Sequence, residues 1–303
     1  MTRPTDRARR VGGFLAALAA VSVWAGWIPV TRLAVVTRLR PEDVAALRFG
    51  IAGLVLAPVL ALRWREIPWR RGLVLLPMLA GAGVPYQLLF GYGLSIANSG
   101  QAAVLGPGLV SSFVAVLARL TLGEPLSRAQ LAGLGVTLLG VAGVLFRDLF
   151  GGRAHLAGYA LIVAGSMSWA VYTVASRALG LRPLVNAAAV AVVNALVYLP
   201  VYFALGGGAR LAALPPADLL LQGLYQGVAT AVLALVAFAF AVDRLGAATA
   251  ASVTPLSPVL ATLFGWLLLG DRVDVATAVG LAAVAGGVLI VNRRAIRAAI
   301  SGG

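Results

Sequence analysis

Ten apolar runs, each long enough to cross a bilayer as a helix, follow one another with almost nothing between them. A hydrocarbon core of ~30 Å needs about 20 helical residues at 1.5 Å each. The runs occupy approximately 12–36, 42–62, 72–96, 99–119, 128–146, 156–178, 184–206, 218–242, 247–269 and 274–292. Short connections rich in Arg, Pro, Gly or acid separate them, such as Arg63-Trp64-Arg65-Glu66-Ile67-Pro68, and no stretch is left for a soluble domain. Only 11% of the 303 residues are charged, too few to coat a water-soluble globule, where about 25% is usual. The expected fold is therefore an all-α membrane protein of about ten transmembrane helices, with lipid as the solvent for most of its surface.

The same composition excludes several chemistries. There is no cysteine and a single histidine, His155, so disulfides, thiolate catalysis and Cys- or multi-His metal sites are not expected, nor is any cofactor. The net charge is +14 and every basic residue is arginine. Because the arginines stand at the ends of apolar runs, their excess reads as membrane topology rather than as a nucleic-acid surface. Arg9-Arg10 ahead of Val-Gly-Gly-Phe-Leu loosely resembles a twin-arginine export signal, but the same segment recurs later in the chain, which favours a first spanning helix behind a basic tail.

That recurrence extends through the chain. A shift of 145 carries Trp24, Ala25, Trp27, Thr31 and Arg32 onto Trp169, Ala170, Tyr172, Ser176 and Arg177. A shift of 148 carries Gly93-Leu94 onto Ala241-Val242 and Pro107 onto Pro255, and a shift of 147 carries Leu122-Gly123-Glu124 onto Leu269-Gly270-Asp271. Two units are expected, residues 1–150 and 151–303, each with five helices. Five is odd, so the second unit enters the membrane from the opposite side and the repeat is inverted. With both termini inside, 16 of the 24 arginines fall on the cytoplasmic side and 7 outside, and Arg48 lies within the second helix.

Taken together, these residues resemble the drug/metabolite transporter superfamily, and within it the two-repeat EamA-type members. The resemblance rests on the Trp-Ala of helices one and six and on Arg48-Phe49 in helix two. It rests also on the small-Leu or small-Val pair closing helices three and eight, and on Pro258 thirteen residues before Asp271. The chain departs from the pattern at Ser111, where proline is expected, and at Asp271, where glutamate is usual, and helix seven has no counterpart of Arg48. The resemblance implies alternating access, a cavity between the halves and export of amino acids or other metabolites.

Polar and aromatic side chains at membrane depth mark the candidate site, because they are costly there. Trp24, Trp27 and Thr31 share one face of helix one, and Trp169, Tyr172, Thr173 and Ser176 repeat that face on helix six. They line a cavity or pack helices together. Tyr86 and Gln87 on helix three and Gln222, Tyr225 and Gln226 on helix eight contact polar cargo or bond one helix to another. Gln87 and Gln226 lie about 12 Å below the outer ends of their helices, counted at 1.5 Å per residue. Gln101, Ser111, Ser112, Thr254 and Ser257 accompany Pro107, Pro255 and Pro258, prolines that free backbone carbonyls or flex the helix. The assigned substrate-contacting set is Trp24, Trp27, Tyr86, Gln87, Trp169, Tyr172, Gln222, Tyr225, Gln226 and Ser257. Arg48 is assigned a structural or gating role ahead of cargo contact, as are the three prolines. Glu124 and Asp271, at turns before helices five and ten, read as helix caps.

No Asp or Glu falls in mid-span, which favours a uniporter or exchanger over a proton-coupled carrier. An uncharged, aromatic cavity suits apolar or aromatic amino acids first and multidrug-type amphiphiles second, moved across the cytoplasmic membrane. An intramembrane enzyme would need a base or metal set at depth, and none is encoded. A non-transporting scaffold or receptor has no need of the doubled architecture, and a channel would differ in showing no saturation.

Overall fold

A computed structural model describes residues 4–150 and 155–291. Its spanning helices are α1 (Arg9–Thr37), α2 (Pro41–Glu66), α3 (Gly72–Ile96), α4 (Ser99–Leu122), α5 (Arg128–Phe146), α6 (Leu156–Leu179), α7 (Pro183–Ala204), α8 (Pro216–Leu245), α9 (Thr249–Leu269) and the shorter α10 (Val275–Val291). Each coincides with one of the expected runs to within a few residues. Of the arginines used for topology, Arg3, Arg153, Arg293, Arg294 and Arg297 lie outside the described residues.

The starts and stops follow from local chemistry. Asn98 and Gln101 form a capping box at the start of α4, with Gln101 N–H donating to Asn98 Oδ1 at 2.8 Å and Asn98 N–H to Gln101 Oε1 at 3.1 Å. Ser127 and Gln130 do the same for α5. The α10 cap is Asp274, whose Oδ1 accepts from Thr277 N–H at 2.9 Å. The capping role expected of Glu124 and Asp271 thus belongs to residues three positions later in each half. Glu124 and Asp271 sit just after Gly123 and Gly270, whose φ of 71° and 66° turn the chain out of the preceding helix, and both side chains pair with arginines instead.

Packing partners exchange when the halves are exchanged. α1 packs on α8 and α9, and α6 packs on α3 and α4; α2 packs on α7, and α5 on α10. The α5–α10 pair closes at its glycines, Gly133 meeting Gly287 and Gly140 meeting Gly280. Large apolar side chains such as Leu73 (94% exposed) and Leu54 (78% exposed) cover the outside, as a lipid-facing surface requires.

Among the described residues four helices are interrupted, again in exchanged pairs. α3 breaks at Ala82-Gly83, and its counterpart α8 widens to a π-helical stretch over Tyr225–Leu233. α4 breaks at Gly106, and its counterpart α9 passes through turns and a 3₁₀ segment at Thr254–Leu256 before Ser257 resumes the helix. Irregular backbone at this depth is tolerated only where protein or a cavity receives its polar groups. At the α3 break, Asn194 of α7 does this. Its Oδ1 accepts from Val84 N–H at 2.9 Å, and its Nδ2 donates to Leu79 O at 3.0 Å and to Val190 O at 2.8 Å.

Candidate functional site

The four interruptions surround one central cavity of about 470 Å³. It lies between the two largest buried clusters of the protein, and Trp169 packs against both. A volume in this range suits a small ligand held by mostly apolar walls.

Aromatic rings form a continuous wall. Phe90 lies 5.0 Å from Trp27, Trp27 stacks on Tyr86 at 5.5 Å and 16°, Tyr86 meets Trp169 at 4.9 Å, and Trp169 meets Tyr172 at 5.1 Å. These side chains come from α1, α3 and α6, so both halves build the wall. Trp24 completes it beside the π-helical stretch, its Nε1 donating to Thr230 O at 3.3 Å.

Among the described residues Arg48 is the one charge in the wall. Its guanidinium carbon sits 5.6 Å from the Trp27 ring centroid and 5.9 Å from that of Phe49, within cation–π range. Its polar contact is Gln226 Oε1 at 3.5 Å, the far limit for a hydrogen bond. Among the described residues Arg48 has no carboxylate partner. Trp27 Nε1 is buried without a hydrogen-bond partner. The polar pole of the cavity therefore offers donors.

Of the side chains singled out in the sequence, Trp24, Trp27, Tyr86, Trp169, Tyr172, Ser257, Arg48, Pro107, Pro255 and Pro258 all lie in this wall, with Ser111 and Thr254. Gln87, Gln222, Tyr225 and Gln226 lie outside it. Gln222 Nε2 donates to Val30 O at 2.9 Å, Tyr225 Oη to Val23 O at 2.8 Å, and Gln226 Nε2 to Thr31 Oγ1 at 2.9 Å, so the three bind α8 to α1. Gln226 also touches the site through Arg48. Gln87 is fully buried, with neither amide atom partnered. Gln101 serves the α4 cap. Phe90 and Asn194 were not singled out in the sequence; an amide in the middle of α7 was a legible signal, whereas one phenylalanine among ten carried none. Among the described residues no three His, Cys, Asp or Glu side chains converge as a metal site would need.

Interrupted helices enclosing one aromatic cavity between exchanged halves make the class of protein clear: a polytopic small-molecule carrier of the membrane. The chain belongs to the EamA-like transporter family, whose model matches it twice, over residues 11–146 and 156–293. It is similar to a protein of Streptantibioticus cattleyicolor named "Probable terminal-alkyne amino-acid exporter", at 28% identity over 91% of this chain and 92% of that one. It is similar also to the "Uncharacterized inner membrane transporter YedA" of Escherichia coli K12, at 26% identity over 86% of this chain and 84% of that one. A crystal structure at 20% sequence identity superposes with a TM-score of 0.54 over 96% of this chain and 98% of the other, which shows a shared fold.

Proposed function

We propose that this transporter exports amino acids with apolar or aromatic side chains across the cytoplasmic membrane by alternating access. Both termini are cytoplasmic in this reading, and the units 1–150 and 151–303 are repeats of opposite sense. The carrying observation is the cavity: a row of aromatic rings along its wall and, at one pole, the Arg48 guanidinium with no carboxylate partner among the described residues. Rings offer an apolar side chain a tolerant surface, and a guanidinium offers a carboxylate two parallel donors. Naming of a relative as an amino-acid exporter agrees with this reading, as does the arginine bias of the loops. The roles proposed for Trp24, Trp27, Tyr86, Trp169, Tyr172 and Ser257 are contacts with cargo; Gln222, Tyr225 and Gln226 support the site from outside it.

The test is counterflow in liposomes, with purified protein and a panel of labelled amino acids. Saturable exchange of Leu, Phe or Trp is expected. No flux for any amino acid, with exchange of uncharged amphiphiles, would replace this reading by multidrug efflux, which the aromatic wall alone would also serve.

A further inference from the structure

At one end of the cavity an ion pair ties α1, the end of α3, the start of α4 and the α9–α10 turn together. Arg32 of α1 places Nε 3.3 Å from Asp271 Oδ2, and its Nη1 donates to Leu94 O at 2.7 Å and also to Ala97 O, at the end of α3. Asp271, in the α9–α10 turn, accepts in addition from Ser99 N–H at 2.8 Å, at the start of α4. The two side chains are only 17% and 11% exposed. Close approach is possible because position 265 is glycine: a Cβ there would stand 2.4 Å from Ser99 Cβ.

The repeat places the same pair at the opposite end of the cavity. The shifts that carry Arg32 onto Arg177 and Glu124 onto Asp271 make Arg177–Glu124 the counterpart. The backbone turn is the same, with Glu124 N–H donating to Ala118 O and Asp271 N–H to Gly265 O, each at 3.3 Å. The engagement is not the same. Arg177 Nη1 stands 3.5 Å from Glu124 Oε2, and the side chains are 51% and 52% exposed. Among the described residues Arg177 reaches no α8 carbonyl, although Val242 and Leu245 stand where Leu94 and Ala97 do in the first half. Thr31, beside Arg32, is fully buried, whereas Ser176, beside Arg177, is half-buried. An exposed pair without further bonds holds little, whereas a buried pair with further hydrogen bonds is a specific latch.

We propose that Arg32–Asp271 and Arg177–Glu124 are the two gates of the transport cycle, shut in alternation. The conformation described has the first buried and shut and the second joined only by a solvent-exposed contact, and in the other state they exchange. On the charge-derived orientation the shut gate is the outer one, so the cavity faces the cytoplasm. The inference rests on the alternating-access reading and is independent of the cargo.

The absence of cysteine makes the test direct. Ala231→Cys puts one thiol in the cavity wall. Its labelling by a membrane-impermeant maleimide is compared in right-side-out and inside-out vesicles, alongside counterflow. The Ala231→Cys parent is expected to label faster from the cytoplasmic face. Asp271→Asn removes charge-assisted bonds and should raise the outer-to-inner labelling ratio about tenfold. Gly265→Ala should raise it as well, by pushing Ser99 away without altering any charge. Glu124→Gln weakens the opposite gate and should lower the ratio. The gates are refuted if Asp271→Asn and Glu124→Gln move the ratio the same way, or if neither moves it while saturable counterflow persists. Equal labelling from both faces in every variant, with flux that does not saturate, would instead remove alternating access and the gates with it.

Discussion

Arg48→Gln separates the two roles open to a guanidinium inside a membrane protein, because they move stability and affinity in different directions. In the structure Arg48 has no carboxylate partner among the described residues, and its amide contact to Gln226 is 3.5 Å long. A cation in a mostly apolar cavity wall without a counter-ion adds little stability, and removing it orphans no carboxylate among the described residues. The substitution should therefore leave the melting temperature unchanged or raise it. Affinity should fall. Hydrogen bonds to charged groups contribute about 1.5–3 kcal/mol, and each 1.4 kcal/mol is tenfold, so half-saturation for a carboxylate cargo should rise about 10- to 100-fold. An amino-acid methyl ester keeps the side chain and the ammonium but lacks the anion. Its potency as a competitor should change little between wild type and variant. Arg48→Lys keeps the charge without the planar fork and should fall in between. The assay pairs thermal unfolding with competition of labelled leucine counterflow by leucine and by its methyl ester. Equal weakening of acid and ester would refute a carboxylate contact, and a melting temperature that collapses would make Arg48 structural.

Two further substitutions probe what holds the site open. Asn194→Leu leaves Val84 N–H and Leu79 C=O of the interrupted α3 without their side-chain partner; at about 1–3 kcal/mol for each buried group left unsatisfied, stability in detergent should fall by about 2–6 kcal/mol, and a change under about 0.5 kcal/mol would show that the break needs no patch. Gly26→Ala would set a Cβ 2.2 Å from Tyr225 Oη and break its bond to Val23 O; overpacking of this kind costs about 1–3 kcal/mol, so a lower melting temperature is expected, and Tyr225→Phe in the same background should restore part of it.

What the sequence disclosed was whatever is periodic or doubled. Run length fixed the spans because the bilayer is of one thickness, and the matches of Trp24 with Trp169 and of Glu124 with Asp271 disclosed the paired halves because a repeat copies its anchors. Within a half, residue type did not separate cavity wall from helix seam. Tyr86 and Gln87 are adjacent on α3, yet only the tyrosine is in the wall, and Gln222 and Gln226 bond to α1 behind it. A polar side chain at depth satisfies the same physical demand by meeting cargo or by meeting a neighbouring helix, and the choice depends on helix rotation, which α8 alters through its π-helical stretch.

The acids show the limit more sharply. Glu124 and Asp271 are adjacent to helix starts and invite a reading as caps, although Ser127-x-x-Gln130 and Asp274 a few residues on carried the stronger capping pattern. Once those caps are assigned, each acid is left over beside a glycine turn in both halves, and its arginine partner lies in the other half of the chain. Only a three-dimensional exchange of halves brings Arg32 to Asp271 and Arg177 to Glu124. The repeat makes the two pairs counterparts that differ in the acid, Asp271 against Glu124, and they differ in burial as well; on the gate proposal that inequality belongs to one conformation of the cycle. On the proposed opposite sense of the halves, whatever stabilises closure at one end has a copy placed to do the same at the other, and the buried Arg32–Asp271 pair is the more firmly bonded of the two in this structure.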